Sequence, residues 1–473
     1  MNRAVRGLCL CLAVLRCAAA HADGAAARRA DQSTLQPVIN ATDAALHFDW
    51  PAIRIGTGEY EEGPTGVTVF WFPKRAFVAV DVRGGGPGTV NTDYLRLGYD
   101  TAVLDAVVFS GGSWYGLESI TAVSTALKDD GLRSGHWDDI ALAVGAIIYD
   151  LGDRRLNEIY PDKRLAQAAF RAARPGVFPL GAHGAGRMAK TGYLYGCEAF
   201  SGQGGAFRQI GDLKIAAFVV VNALGVVTRR DGRVAACYPA QNWPREITTS
   251  ELLAGYPDSR KPGWNGRRNT TISLIVTNQR LAPAQLQRLA TQVHGSMGRA
   301  IQPFATEFDG DVLYAVSTGE LAAGATPDVP AVDIDVLADE VMWDAILASV
   351  PDQPAAVSPT SGSPASGRTA PPSKDLAGDY EFSPKVRVRI RLEQGQLLAQ
   401  SIGAQDVFAI PHDHAVALQA VSPSLYTLPG RYPLQLSFEA GHRLIINPGH
   451  WQQAGTRMHS AGDSGIVGAS PAH

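Results

Sequence analysis

The stretch Gly266-Arg267-Arg268-Asn269-Thr270-Thr271-Ile272-Ser273-Leu274-Ile275-Val276-Thr277-Asn278 passes from a polar loop directly into a β-branched, apolar strand. Such a strand belongs inside a sheet, with little of either face in water. A hydroxyl residue that opens a buried strand just after a loop is where a cut chain gains a new N-terminus with a nucleophilic side chain. The expected cut lies between Asn269 and Thr270, with Thr270 the candidate nucleophile.

Downstream, Leu281, Leu286, Leu289, Val293, Met297 and Ile301 recur mostly at three- and four-residue steps, predicting an amphipathic helix over Leu281 to Ile301. Asp309-Gly310-Asp311 precedes a strand from Val312 to Val316, and a second helix is expected over Val336 to Leu347. Upstream, Gly66 to Phe72 and Phe77 to Val82 read as two paired strands joined by Pro73-Lys74-Arg75. Gly84-Gly85-Gly86-Pro87-Gly88 lacks the Lys-Ser/Thr or third spaced glycine of a phosphate cradle, so it reads as tight backbone packing. Ile215 to Val221 is a continuous apolar strand ending at Asn222, and the apolar run from Ala141 closes at Tyr149-Asp150. Strand-rich blocks flanked by helices predict sheets covered by helix layers.

Composition sets the frame. With 45% hydrophobic and 18% charged residues in 473, the chain can bury a large core and holds about two folded units. A net charge of -3 without basic blocks argues against a nucleic-acid partner. Arg3 and Arg6, the apolar run Leu8 to Leu15 and the small residues ending Ala20-His21-Ala22 predict an export signal over residues 1–22. That run is too short to span a bilayer. Its removal leaves Cys197 and Cys237, either as one disulfide or as two separate buried thiols.

A catalytic unit over residues 23–350 is followed by a Pro/Ser/Gly-rich linker over 351–374 and a small β domain over 375–460, announced by the strict alternation Val386-Arg387-Val388-Arg389-Ile390-Arg391-Leu392. His412-Asp413-His414 reads as a surface loop, since no third spaced ligand accompanies it.

Several further stretches keep one order from about Trp50 to Leu347. They are Glu59-Tyr60-Glu61-Glu62-Gly63-Pro64-Thr65-Gly66, Tyr160-Pro161-Asp162-Lys163, Ser201-Gly202-Gln203-Gly204-Gly205-Ala206-Phe207-Arg208, Asn269-Thr270-Thr271-Ile272, Gln292-Val293-His294-Gly295-Ser296-Met297, Asp309-Gly310-Asp311 and Glu340-Val341-Met342-Trp343-Asp344-Ala345. In this combination the chain resembles the self-cleaving L-aminopeptidase/D-esterase and β-peptidyl aminopeptidase family of N-terminal nucleophile hydrolases. Within it, the likeness is greatest to the nylon-oligomer (6-aminohexanoate-oligomer) endohydrolases. The resemblance implies an α/β fold with a layered αββα core, here with a small C-terminal all-β domain. It implies cleavage before Thr270, an acyl-enzyme on its hydroxyl, Asn222 as oxyanion donor, Tyr149 as a hydrogen-bond donor in the same site, and Asp309 and Asp311 facing the new ammonium. It further implies a homo-oligomer of processed chains acting on small peptides, β-peptides or ω-amino-acid oligomers. This chemistry requires neither metal nor organic cofactor. At the position of the family's lysine, after Gly184-Ala185-Gly186, this chain has Tyr193, with Lys190 three residues earlier.

Other readings compete. Ser113, on a strand-turn-helix bend, would be the nucleophile of an α/β-hydrolase, but Tyr115 stands where that motif needs glycine. An uncleaved, exported binding protein is the non-enzymatic alternative. Asn269-Thr270-Thr271 and Asn40-Ala41-Thr42 also satisfy the N-glycosylation pattern, and Arg267-Arg268 a trypsin-like cut.

Overall fold

The computed structural model describes residues 32–96, 102–197, 199–237, 246–255, 269–322, 331–353, 374–407, 409–428, 434–440 and 442–458. The export signal, the loop Gly266 to Arg268 and most of the linker lie outside the described residues. The elements that frame the site are β1 (Arg54–Tyr60), β2 (Thr65–Val82), β3 (Val103–Ser110), α1 (Glu118–Asp129), β4 (Ala143–Ile147), α2 (Lys163–Arg171), β5 (Gln203–Ile210), β6 (Leu213–Asn222), β7 (Thr270–Gln279), α3 (Pro283–Ser296), β8 (Val312–Leu321) and α4 (Ala331–Ala348).

Their sheet runs β5-β6-β7-β8-β2-β3-β4, with β1 paired off this path to β2. Pairing is antiparallel except for β7 with β8 and β3 with β4. The expected hairpin over Gly66 to Val82 is instead one strand, β2. Its first half pairs with β1 and β3, its second half with β8, and the register with β3 shifts between Trp71 and Ala76. Pro73-Lys74-Arg75 has none of the glycine, asparagine or aspartate that a two-residue hairpin turn uses, and the chain bends there and carries on.

That bend folds the sheet over itself. Phe70 on β2 and Phe218 on β6 belong to strands three places apart, about 14 Å along a flat sheet. Their ring centroids are nevertheless 5.0 Å apart. The contact crosses between two layers, and Phe72, Val80, Phe109, Val144, Val220, Leu274 and Tyr314 fill the same inner core. On the outer faces, α3 and α4 cover Ile215, Ala217, Val219 and Ala315, while α1 and α2 cover Val67, Val69, Ala106 and Val108. The order is therefore helix, sheet, sheet, helix. Asp162 caps α2 by accepting from the Leu165 N–H. The helices expected over Leu281 to Ile301 and Val336 to Leu347 form as α3 and α4, the first stopping early and the second starting five residues sooner.

A second sheet comprises β9 (Gly378–Ser383), β10 (Val386–Glu393), β11 (Gln396–Ser401), β12 (Leu425–Leu428), β13 (Leu434–Glu439), β14 (Arg443–Ile446) and β15 (Gln453–Arg457), in the order β11-β10-β9-β15-β14-β13-β12 with two-residue strands at both ends. Along β10 the valines and Ile390 are buried while Arg389 and Arg391 are exposed, as alternation requires. Residues from both ends of this sheet share one core, which also takes in Leu156 of the first domain. Cys197 and Cys237 are joined by a disulfide. No helix among the described residues is long and apolar enough to cross a membrane.

Candidate active site

Thr270 opens β7 and Asn222 closes β6, and the two are register partners on adjacent strands. Both follow the parity of Phe218 and Leu274, whose side chains enter the inner core, so they sit at the end of the inter-sheet layer. Asp309-Gly310-Asp311 immediately precedes β8, the other neighbour of β7, and Tyr149 lies two residues beyond β4. The structure thus gathers the predicted residues at one end of the layers. Asn222, Asn269, Thr270, Asp309 and Asp311 are all buried.

The junction is held from several sides. Asn269 donates its N–H to the Phe308 carbonyl at 2.9 Å, and its own carbonyl accepts from Gly310 N–H at 2.9 Å. The Thr270 hydroxyl lies 2.5 Å from that same carbonyl oxygen. Room for it depends on Gly310, where an added Cβ would fall 2.9 Å from Thr270 Oγ1. The glycine loop closes the other side: Gly86 N–H donates to the Asp309 carbonyl and Gly84 N–H to that of Asp311. A Cβ on Gly84 would lie 2.2 Å from the Asp311 nitrogen, the close backbone packing read from the sequence.

The aspartates are bound by backbone. Asp311 accepts from the Thr271 N–H at 2.5 Å and the Ala305 N–H at 3.0 Å, and Asp309 from Leu224 N–H and from Thr306 N–H and hydroxyl. Burial and the neighbouring Asp309 push Asp311 well above the usual carboxylate range. Burial also raises Asp309, against the pull of its hydrogen bonds and of Arg154.

Arg154 is the residue that sequence reasoning missed. It is 1% exposed and spans the site. Its Nε donates to the Tyr193 hydroxyl at 2.7 Å, and its terminal nitrogens to Asn222 Oδ1, to Asn269 Oδ1 and to the Tyr149 carbonyl. The guanidinium also lies 4.4 Å over the Tyr193 ring. The position expected to hold a lysine therefore presents a phenol that carries an arginine. In Asp153-Arg154-Arg155 nothing but adjacency to Tyr149 distinguished this arginine from a solvated one.

Asn222 is oriented by two donors on its oxygen, Arg154 Nη1 at 2.5 Å and the Lys190 N–H at 3.1 Å. Its Nδ2 donates to the Tyr149 carbonyl at 3.0 Å. Lys190 thus meets the site through its backbone, with Nζ 5.1 Å over the Phe200 ring. Tyr149 meets Arg154 and Asn222 through its carbonyl, and its ring lies 5.6 Å from the Arg154 guanidinium.

Ser113 follows β3 on a bend with positive φ at Gly112 and Ser113. β3 pairs antiparallel with β2 and parallel with β4, so the bend sits on a mixed sheet and not on the parallel sheet of an α/β-hydrolase. His412 and His414 are exposed and paired with Asp406 and Asp413. Asp43, His183 and His450 place their polar atoms within 4.8 Å of one another. Arg187 Nη1 stands 2.6 Å from His450 Nδ1 and must donate to it, which puts the imidazole proton on Nε2 toward Asp43. This is a hydrogen-bonded chain between the domains, in which His450 has no lone pair left for an ion.

The profile of Peptidase family S58 matches residues 45–357. The chain is 41% identical over 326 residues to a 6-aminohexanoate-oligomer endohydrolase of Paenarthrobacter ureafaciens, covering 67% of this chain and 89% of that one. It is 33% identical over 303 residues to an uncharacterized aminopeptidase of Mycobacterium leprae, covering 60% and 82%. Among solved structures, the L-aminopeptidase D-Ala-esterase/amidase of Ochrobactrum anthropi aligns over 63% of this chain and 83% of its own, at 18% identity and a TM-score of 0.45.

Proposed function

The chain belongs to peptidase family S58, and from that membership we propose that it is an amide hydrolase that cuts its own Asn269–Thr270 bond and then works through Thr270 as an N-terminal nucleophile. The observation that carries this reading is the Thr270 hydroxyl 2.5 Å from a carbonyl oxygen that Gly310 N–H already polarises.

In the uncut chain the hydroxyl adds to the Asn269 carbonyl carbon, with Gly310 N–H bearing the developing negative charge. The C–N bond then breaks, the Thr270 nitrogen takes up a proton, and an ester joins Asn269 to the Thr270 oxygen. Water splits the ester and leaves the Asn269 carboxylate and the Thr270 α-amine. An α-amine titrates at about 7.7 to 8.0, so near neutrality a useful fraction is free to accept the hydroxyl proton. The hydroxyl next adds to a substrate amide, the amine product leaves, and water releases the acyl group. Asn222, its oxygen tied down by Arg154 and Lys190 and one N–H given to the Tyr149 carbonyl, offers its other N–H toward the oxyanion. Asp309 and Asp311 balance the new ammonium.

The substrates proposed are small peptides, β-peptides or 6-aminohexanoate-type oligomers, supported by the endohydrolase relative. Export and assembly of processed chains into a homo-oligomer complete the proposal. The N-terminal sequence and the Cys197–Cys237 disulfide support export. Intact-mass measurement and N-terminal sequencing test the core of it. Wild type should yield a fragment beginning at Thr270 and Thr270→Ala a single chain, inactive on a panel of amino-acid amides, β-peptides and aminohexanoate oligomers. A wild-type chain that stays whole yet hydrolyses these amides would overturn the mechanism.

A further inference from the structure

The segment from Asp150 to Leu156 is held by two bodies at once. Asp150 and Arg155, both fully buried, pair at 3.3 Å, and Asp150 also accepts from the Gly112 N–H at 2.7 Å and the Thr65 hydroxyl at 2.9 Å. That fixes one side of the segment to the catalytic layers. The other side is held by the C-terminal domain. The Leu156 side chain is part of that domain's core. Gln453, the first residue of β15, accepts from the Leu156 N–H at 2.5 Å and donates to the Arg154 carbonyl at 3.2 Å. Between these anchors the Arg154 side chain reaches into the cleavage site.

We propose that Arg154 is a positioning residue for chain cleavage and amide hydrolysis, and that the C-terminal domain sets its place through Gln453 and Leu156. The proposal rests on Thr270 being the nucleophile. A guanidinium is a rigid fork with donors in fixed directions. Anchored at its backbone, it fixes Asn222 through Oδ1, which leaves the one Asn222 N–H not given to the Tyr149 carbonyl as the donor presented to the site. It also fixes Asn269, whose carbonyl is attacked, through the side chain of the same residue. A shift of about 1 Å in such a group is enough to cost orders of magnitude in rate. The family match ends at residue 357, so this hold comes from a part of the chain outside it.

The test follows self-cleavage of freshly synthesised full-length chain by gel and intact mass, with circular dichroism to confirm folding. Arg154→Ala and Gln453→Ala should each slow cleavage by about tenfold or more. His450→Gln loosens the same domain contact through Asp43 and Arg187 but leaves Gln453 in place, and should cleave at the wild-type rate. Guanidinium ion at a sub-denaturing concentration should restore cleavage to Arg154→Ala, which a role in folding alone would not allow. Wild-type cleavage in Gln453→Ala, equal slowing in His450→Gln, or no response of Arg154→Ala to guanidinium each overturns the proposal. Cleavage that persists in Thr270→Ala would instead defeat the nucleophile reading, whatever the other variants do.

Discussion

Asp311 is placed where its ionised form is costly, fully buried beside a second carboxyl two residues away in sequence. Its folded pKa is raised, so in the uncut chain its contribution to stability is complete below the ordinary aspartate value of about 3.9. That contribution is lost as pH rises through the raised value. On the proposed mechanism, the cut puts the Thr270 ammonium nearby, which favours the charged form and removes the penalty. The uncut Thr270→Ala chain should therefore lose melting temperature relative to Thr270→Ala/Asp311→Asn as pH rises from acid toward neutrality. Identical pH profiles for the two chains would place the penalty elsewhere. Thr270 was legible as the candidate nucleophile because its signal is local, a hydroxyl residue at a loop-to-strand boundary. Arg154 was not, since its importance comes from Tyr193, Asn222 and Asn269, which lie 39 to 115 positions away in sequence.

Among the elements, the loop from Gly84 to Gly86 shows how closely the site is packed. Its glycines press the backbone against Asp309 and Asp311, so a side chain at 84 has to move main chain and not a flexible neighbour. Overpacking of that kind typically costs about 1–3 kcal/mol. Gly84→Ala should lower the melting temperature and slow self-cleavage by displacing both aspartates. Gly135→Ala, with no atom within 4 Å of the added Cβ, should do neither. A Gly84→Ala chain that cleaves and melts like wild type would mean that the loop yields freely. The glycine run was read correctly because the missing phosphate-cradle residues excluded the rival use. The misreading of β2 had the opposite origin: two apolar runs around Pro73-Lys74-Arg75 look alike whether the chain reverses or bends. Only the partners decide, and β8 lies 230 and more positions beyond the second half of β2.

At the scale of the whole molecule, the C-terminal domain meets the catalytic layers mainly through the turn between β14 and β15 and the start of β15. Trp451 stacks on Phe200 with centroids 4.1 Å apart and planes 20° from parallel. His450 reaches Arg187 and Asp43 on one side of it, and Gln453 reaches Arg154 and Leu156 on the other. The exposed Lys385–Glu158 pair adds little, because solvent screens it. A half-buried aromatic between two polar holds suits the centre of such a contact, and an aromatic pair contributes about 0.5–1.5 kcal/mol beyond the area it buries. Trp451→Ala should therefore weaken the coupling between the two cores, so that calorimetry should resolve two transitions where the wild type should give one. Each domain has its own hydrophobic core, so loss of the contact separates the transitions and does not abolish either. A single transition at the wild-type temperature would show that the Leu156 insertion and the Gln453 hold suffice to couple the domains without the stack.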